Sequence, residues 1–169
     1  TINGTVYFRQ RVTKDCRRLG MLGIRSEIQG IPINDGTQYH GIHVHESHDF
    51  SNGCESMGPH FNPFNTNHGA PTDTYEMRHL GDFGNVIQSK RNGGRVADTG
   101  FDYLANLVGP NSILGRGLVV YNDKMMASHL YWTDGIRLLY KSNDMFLVSL
   151  PSLTTFSIGN SLLTCPTFL

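Results

Sequence analysis

Histidines crowd one stretch of this chain, and this crowding constrains the fold more than any other feature of the sequence. Seven of the eight histidines lie within a window of 40 residues, and an aspartate, Asp82, follows the last of the seven by three positions. Imidazole is the commonest protein ligand of zinc and copper, and a carboxylate often completes a zinc site. The sequence therefore predicts a metal centre. The histidines are His40, His43, His45, His48, His60, His68, His79 and His129.

The stretch from Glu46 to Asp82 lacks the alternation of a strand and is rich in Gly, Asn, Pro, Ser and His. A loop of this length is uncommon inside a compact domain unless something else orders it, and a bound metal is one candidate. Three imidazole nitrogens and one carboxylate oxygen can form a closed tetrahedral zinc site, whose binding energy becomes folding energy for the loop. The predicted zinc ligands are His60, His68, His79 and Asp82.

Two further candidate ligands precede the loop on a predicted strand. Side chains alternate along a strand, so His43 and His45 project to one face while Ile42 and Val44 project to the other. Two imidazoles on such a rigid support can reach one metal together. The remaining histidines, taken singly, are more typical of surface or satisfied core residues. They are His40, His48 and His129.

The rest of the chain predicts an all-β protein. Only 17% of the residues are charged and 19 are glycine, a composition that suits strands joined by tight turns. Turn signals such as Asn92-Gly93-Gly94 and Gly109-Pro110-Asn111 separate the segments with strand composition. The predicted strands are residues 5–11, 19–30, 38–45, 85–88, 96–101 and 114–121.

Charge and apolar runs argue against two classes of partner. Lys+Arg and Asp+Glu are both 14, so the formal net charge is zero, and no apolar run reaches the length that crosses a bilayer. We therefore expect neither a nucleic-acid nor a membrane partner. Asn3-Gly4-Thr5 is a glycosylation sequon, which has meaning only in a secreted protein. We favour an extracellular over a cytoplasmic location.

Six segments of the chain, taken in order, resemble signature segments of the copper/zinc superoxide dismutases. The resemblance runs from about Gly4 to Tyr140 and implies a Greek-key β-barrel of the sandwich type, with a long metal-binding loop outside the barrel. It assigns residues 1–150 to a domain of this family and residues 151–169 to a tail without a family counterpart. The segments are Gly41-Ile42-His43-Val44-His45-Glu46, Asn52-Gly53-Cys54, Gly58-Pro59-His60-Phe61-Asn62-Pro63, His68-Gly69-Ala70-Pro71, His79-Leu80-Gly81-Asp82-Phe83-Gly84-Asn85 and Gly109-Pro110-Asn111-Ser112-Ile113-Leu114-Gly115-Arg116-Gly117-Leu118-Val119-Val120.

The resemblance implies a role for each candidate residue. His43 and His45 would bind copper, and His60 would be the imidazolate that bridges copper and zinc. Arg137 falls where the family keeps the arginine that guides and holds superoxide, and a planar guanidinium suits a small oxyanion. Arg137 and His60 are therefore the predicted catalytic residues. The residues that would complete the zinc site are His68, His79 and Asp82.

The copper half departs from the family pattern. Tyr121 stands where the family has its fourth copper histidine, and Met125 replaces the aspartate that links the two metal sites. A phenol is a hard oxygen and a poor partner for Cu(I). We favour Tyr121 as a filler of the gap over Tyr121 as a Cu(II) ligand. The loop that follows Tyr121 is also shorter than its family counterpart, and His129 within it is an alternative replacement ligand.

Both ends of the chain and its cysteines differ from the family as well. Cys54 matches a family cysteine whose disulfide partner is replaced here by Tyr140, so Cys54 is expected to be free or paired elsewhere, with Cys165 as one candidate. The third cysteine is Cys16. The first family strand has no counterpart, and the tail, residues 151–169, shows no clear period. We expect the tail to be loosely held, with an edge-covering strand or a partner-binding segment as alternatives, and any homo-oligomer to use a non-standard interface.

Two functions fit these observations. The first is a zinc-binding protein whose copper is partial or absent, with little or no dismutase activity and a structural or assembly role. The second is an active superoxide dismutase with altered copper ligation, whose partner is superoxide and whose products are oxygen and hydrogen peroxide. We favour the first, because Tyr121, Met125 and the short loop all weaken the copper half.

Overall fold

The computed structural model of the chain describes residues 3–12, 19–33, 37–49, 51–52, 55–121, 146–149, 155–158 and 161–164. These residues form nine strands and two 3-10 helices, Glu55–Met57 and Lys90–Asn92. The strands are β1 (Asn3–Val12), β2 (Leu19–Gln29), β3 (Thr37–His45), β4 (Asp82–Ser89), β5 (Arg95–Asp102), β6 (Gly117–Val120), β7 (Phe146–Ser149), β8 (Thr155–Ile158) and β9 (Ser161–Thr164). In the part of the chain described, no helix has the length and apolar character needed to span a bilayer.

Seven of the strands form one antiparallel sheet in the order β1-β2-β5-β4-β3-β6-β7. Strands β3, β4 and β5 are consecutive neighbours, and β2 lies beside β5, which is a Greek-key arrangement. The sheet curls into half a barrel. The all-β fold predicted from the sequence is therefore confirmed, and the strand order agrees with the Greek-key arrangement that the resemblance implied.

Alternation along the strands explains which side of the sheet is buried. In β2, Leu22, Ile24 and Ile28 are buried while Arg25 and Glu27 are exposed, so every second side chain enters the core. Facing strands add apolar side chains to the same cluster. Each such side chain contributes roughly 1.5–3 kcal/mol on burial, so the sheet can hold its shape as a rigid support.

The first five predicted strands match β1 to β5 to within a few residues at each end, and the differences lie in the C-terminal half. The predicted strand at 114–121 begins only at Gly117, because residues 109–116 form turns, with Gly115 in the left-handed region at a φ of 75°. Strand β7, which pairs with β6, was not predicted. Within the expected loosely held tail, β8 and β9 pair as a separate hairpin. The boundary between domain and tail stays a prediction.

The long loop returns to the end of β3. Val44 donates its N–H to the carbonyl of Gly81 at 3.0 Å, and Phe61 donates to the carbonyl of Val44 at 2.7 Å. Gly81 donates in turn to Phe61 at 2.9 Å, and His45 and His60 form an isolated bridge. Two separate parts of the loop are thereby hydrogen-bonded to each other and to the strand that carries His43 and His45.

Candidate metal centre

A buried carboxylate, Asp82, lies at the centre of the cluster at the start of β4. Its side chain has no exposed surface, and its Oδ2 accepts hydrogen bonds from the backbone N–H groups of Gly69 at 3.1 Å and His79 at 3.0 Å. These two bonds fix the orientation of the carboxylate. The other oxygen, Oδ1, is therefore presented to the histidines.

Four imidazoles surround that second oxygen. The Nδ1 atoms of His60 and His68 lie 2.8 and 2.9 Å from Asp82 Oδ1, and that of His79 lies 3.3 Å away. The Nδ1 of His43 is the fourth, at 3.5 Å. The loop and the sheet thus converge on one point. All four predicted zinc-site residues meet there, and His43 reaches the same point from β3.

The donor set fits a metal ion. Single ligand atoms of His43, His60, His68 and Asp82 all lie within 4.8 Å of one another. Among the described residues, both ring nitrogens of His43 and the Nδ1 atoms of His68 and His79 are buried without a hydrogen-bond partner. A buried polar atom without a partner costs free energy, and a cation at this point would satisfy several at once. Imidazole nitrogens with one carboxylate oxygen are the ligands that zinc prefers.

Burial favours the neutral form of three of the histidines, His43, His45 and His60. It lowers the pKa of His43 from 6.5 to about 3 and that of His45 to about 4, and it also lowers the pKa of His60. Burial alone would raise the pKa of Asp82, but the close approach of the four imidazole nitrogens to its Oδ1 outweighs this and leaves its pKa below the usual range. Neutral imidazoles facing a carboxylate anion are in the protonation state that metal ligation requires.

The copper-side position holds a phenol. The hydroxyl of Tyr121 lies 2.8 Å from His45 Nε2 and 3.4 Å from His60 Nε2. The other ring nitrogen of His45, Nδ1, lies 2.7 Å from the carbonyl oxygen of Gly58. His43 lies beside this group, with its ring edge-on to that of Tyr121 at a centroid distance of 5.5 Å. The three predicted copper-side histidines and Tyr121 therefore share one small region.

An arginine that was not predicted as a site residue, Arg78, contacts the backbone of Asp82. Arg78 is fully buried, forms an ion pair with Asp102 of β5, and donates from Nη1 to the backbone carbonyl of Asp82 at 2.7 Å. It thereby ties the loop and the start of β4 to a neighbouring strand. In the sequence, only its position directly before the candidate ligand His79 could have pointed to it. The ion pair between Arg78 and Asp102 joins residues far apart in the sequence, so it depends on the tertiary fold.

Two of the other histidines lie outside the cluster. His40 is fully buried and contacts Gln88 Oε1 at 2.8 Å, while His48 is exposed and lies 3.0 Å from the carbonyl oxygen of Gly115. Several residues discussed from the sequence fall outside the described part of the chain, and their predictions stay predictions. These are Cys16, Cys54, Met125, His129, Arg137, Tyr140 and Cys165.

Comparison with known proteins agrees with this geometry. Residues 2–131 match the family model of copper/zinc superoxide dismutase. The chain is 43% identical over 123 residues to an extracellular superoxide dismutase [Cu-Zn] of Brugia pahangi, a match that covers 73% of this chain and 54% of the relative. It is 42% identical over 120 residues to a superoxide dismutase [Cu-Zn] of Candida albicans, covering 71% of this chain and 70% of that protein.

A third relative is the superoxide dismutase [Cu-Zn] of Saccharomyces cerevisiae, which is 54% identical over 82 residues, or 48% of this chain and 50% of the yeast protein. The chain thus spans about half the length of the Brugia and yeast proteins that it matches. The family model covers well over half of the chain, and the all-β fold and the His/Asp cluster agree with it. The chain belongs to the copper/zinc superoxide dismutase family.

Proposed function

We propose that this protein is a zinc-binding member of the family with an impaired copper site, little or no dismutase activity, and a structural or assembly role. The observation that carries the proposal is the hydrogen-bonding contact of 2.8 Å between the Tyr121 hydroxyl and His45 Nε2. We assign His45 Nε2 as a copper ligand, and the Tyr121 hydroxyl already occupies the position next to this nitrogen where copper would bind.

The zinc half is proposed to consist of His60, His68, His79 and Asp82. The short distances from Asp82 Oδ1 to the three Nδ1 atoms support this assignment, as do the buried Nδ1 atoms of His68 and His79 that lack a partner among the described residues. With four protein ligands the site has no open position, which is typical of structural zinc. Bound zinc would supply binding energy that orders the loop, and no redox chemistry.

The copper half is proposed to consist of His43, His45 and His60 with Tyr121 in the fourth position. Three imidazoles are a weaker donor set for Cu(I) than four, and the neutral phenol that fills the fourth position does not replace the missing one, because phenol oxygen is a hard ligand. Since the dismutase reaction of the family requires copper in two oxidation states, we expect slow turnover at best. Arg137, which the family resemblance assigns to superoxide binding, would then have little catalytic effect.

An active dismutase with altered copper ligation is the second candidate. It is favoured by His43, whose two ring nitrogens are buried without a partner among the described residues, although only one of them faces Asp82. In this case two superoxide ions and two protons would give one O2 and one H2O2, with Arg137 as the anion-binding residue. Bound copper would supply the electron transfer in that reaction.

A dismutase assay on copper-loaded protein distinguishes the two candidates. The zinc-loaded protein is incubated with Cu²⁺, freed of excess metal, and assayed for superoxide consumption beside the Tyr121→His variant. The proposal expects near-background activity for the wild type, and higher copper retention and activity for the variant. Fast turnover by the wild type would contradict the proposal, and an unimproved Tyr121→His variant would remove Tyr121 as the cause of the defect.

A further inference from the structure

We infer that the Tyr121 hydroxyl acts as an internal competitor of copper: it donates a hydrogen bond to the His45 nitrogen that would bind the metal, and so closes the copper half. This inference rests on the proposed copper-side role of His45 and His60. It goes beyond the loss of a histidine ligand, because the hydroxyl is bonded to the His45 nitrogen and copper would have to displace the hydroxyl from that nitrogen.

The direction of this hydrogen bond follows from the other ring nitrogen of His45. His45 Nδ1 lies 2.7 Å from the carbonyl oxygen of Gly58, and a carbonyl oxygen only accepts hydrogen bonds. The proton of the neutral imidazole is therefore on Nδ1, and Nε2 carries the lone pair. The Tyr121 hydroxyl at 2.8 Å must be the donor to that lone pair, which is the one that a metal would use.

The same hydroxyl oxygen faces the proposed bridging imidazole. Tyr121 Oη lies 3.4 Å from His60 Nε2, while His60 Nδ1 points to Asp82 Oδ1 at 2.8 Å. When zinc occupies the Asp82 side and binds Nδ1, the proton of a neutral His60 must reside on Nε2. His60 Nε2–H can then donate to Tyr121 Oη while Tyr121 donates to His45. Zinc loading and closure of the copper half would thus support each other.

The backbone holds Tyr121 in this position. Its N–H donates to the carbonyl of Gly41 at 2.8 Å, and its carbonyl oxygen lies 3.1 Å from Nδ1 of the buried His40. Both contacts connect the residue to β3, the strand that also carries His45. The main chain of Tyr121 is therefore fixed beside β3. Copper can bind His45 Nε2 only after the hydrogen bond from the Tyr121 hydroxyl to that nitrogen is broken.

Removing only the hydroxyl tests the inference. Zinc-loaded wild type and Tyr121→Phe are titrated with Cu²⁺ against a competing chelator, with Tyr7→Phe, a half-exposed tyrosine on β1, as the matched control. We expect Tyr121→Phe to bind Cu²⁺ about tenfold more tightly, since a neutral hydrogen bond no longer competes. Tyr7→Phe should match the wild type. Weaker copper binding by Tyr121→Phe would overturn the inference and identify Tyr121 as a ligand.

A second measurement needs no variant. A phenolate bound to Cu(II) produces an intense visible charge-transfer band, and the inference expects none when the wild type is saturated with Cu²⁺. Observation of the band would overturn it even if Tyr121→Phe did not fold. The dismutase assay tests the proposed function separately from this inference. Fast turnover by the wild type would contradict the proposed function, whether Tyr121→Phe binds copper more tightly or more weakly.

Discussion

At the scale of single residues, the centre depends on how each histidine nitrogen is paired. Asp82 has one oxygen fixed by two backbone N–H groups, which leaves the other for the imidazoles. His45 has one nitrogen fixed by the carbonyl of Gly58, which leaves the other for Tyr121. In both residues, a hydrogen bond to the atom that points away from the candidate metal position orients the side chain. This sets the direction of the other atom, Asp82 Oδ1 or His45 Nε2, towards that position.

Replacement of Asp82 by Asn tests the role of this carboxylate. The amide is nearly the same size but neutral, and its NH2 group would face either backbone donors or imidazole nitrogens. We expect the zinc affinity to fall by at least ~100-fold, measured by competition with a chelator.

Asp98→Asn is the matched control, because the Asp98 carboxylate lies on β5 and accepts a hydrogen bond from the adjacent backbone N–H of Thr99. Its zinc affinity should equal that of the wild type. An unchanged affinity in Asp82→Asn would mean that the carboxylate is not a ligand and that the zinc site has been placed wrongly.

At the scale of elements, the centre forms where the loop meets the ends of β3 and β4. Val44 exchanges backbone hydrogen bonds with Gly81 and Phe61, so the strand holds both limbs of the loop. Arg78 adds a buried link to β5 through Asp102. The sheet therefore provides a rigid frame, and the loop supplies most of the side chains that converge on Asp82.

Replacement of Gly81 by Ala tests the junction between loop and strand. A Cβ at this position would lie 2.3 Å from the carbonyl oxygen of Val44, closer than real contacts allow, so loop and strand must separate. We expect a loss of about 1–3 kcal/mol in the free energy of unfolding, together with weaker zinc binding. Urea unfolding of the zinc-loaded protein measures the first quantity.

Gly100→Ala is the matched control, because nothing lies within 4 Å of a Cβ built on Gly100 in β5. Its stability should stay close to that of the wild type. Equal stability of the Gly81 and Gly100 variants would show that the close approach of Gly81 to Val44 does not hold the loop in place.

The sequence predicted the strands better than the contacts between them. The alternation of β2 and the pair His43 and His45 are local patterns, so they could be read directly. The ion pair of Arg78 and the partner of the Tyr121 hydroxyl could not, because both depend on the packing of distant segments. Tyr121 meets His45 only because β6 pairs with β3, with Val120 opposite Ile42.

At the scale of the whole molecule, the fold combines a sheet that supplies most of the apolar core and a long loop that supplies fewer of its members. The core cluster is drawn mainly from the strands, whereas the side chains around Asp82 are polar and four of their nitrogens lack partners among the described residues. We therefore expect metal binding to contribute to folding as well as to function. Removing metal should lower stability and make it depend on pH.

The stability of the metal-free protein should fall as the pH falls below about 6.5. Burial lowers the pKa of His43 to about 3 and of His45 to about 4, while the same groups titrate near 6.5 in the unfolded chain. Between pH 6.5 and 4 the unfolded state binds the extra protons, so each histidine costs about 1.4 kcal/mol per pH unit. Urea unfolding at pH 7, 6 and 5 measures this slope, and a flat profile would contradict the burial of neutral imidazoles.

Elemental analysis of the natively purified protein measures how many zinc and copper ions each chain holds. We predict about one zinc per chain, held by the cluster around Asp82, and clearly less than one copper, because the Tyr121 hydroxyl is hydrogen-bonded to the lone pair of His45 Nε2. One full equivalent of copper per chain, or no bound zinc, would contradict this prediction.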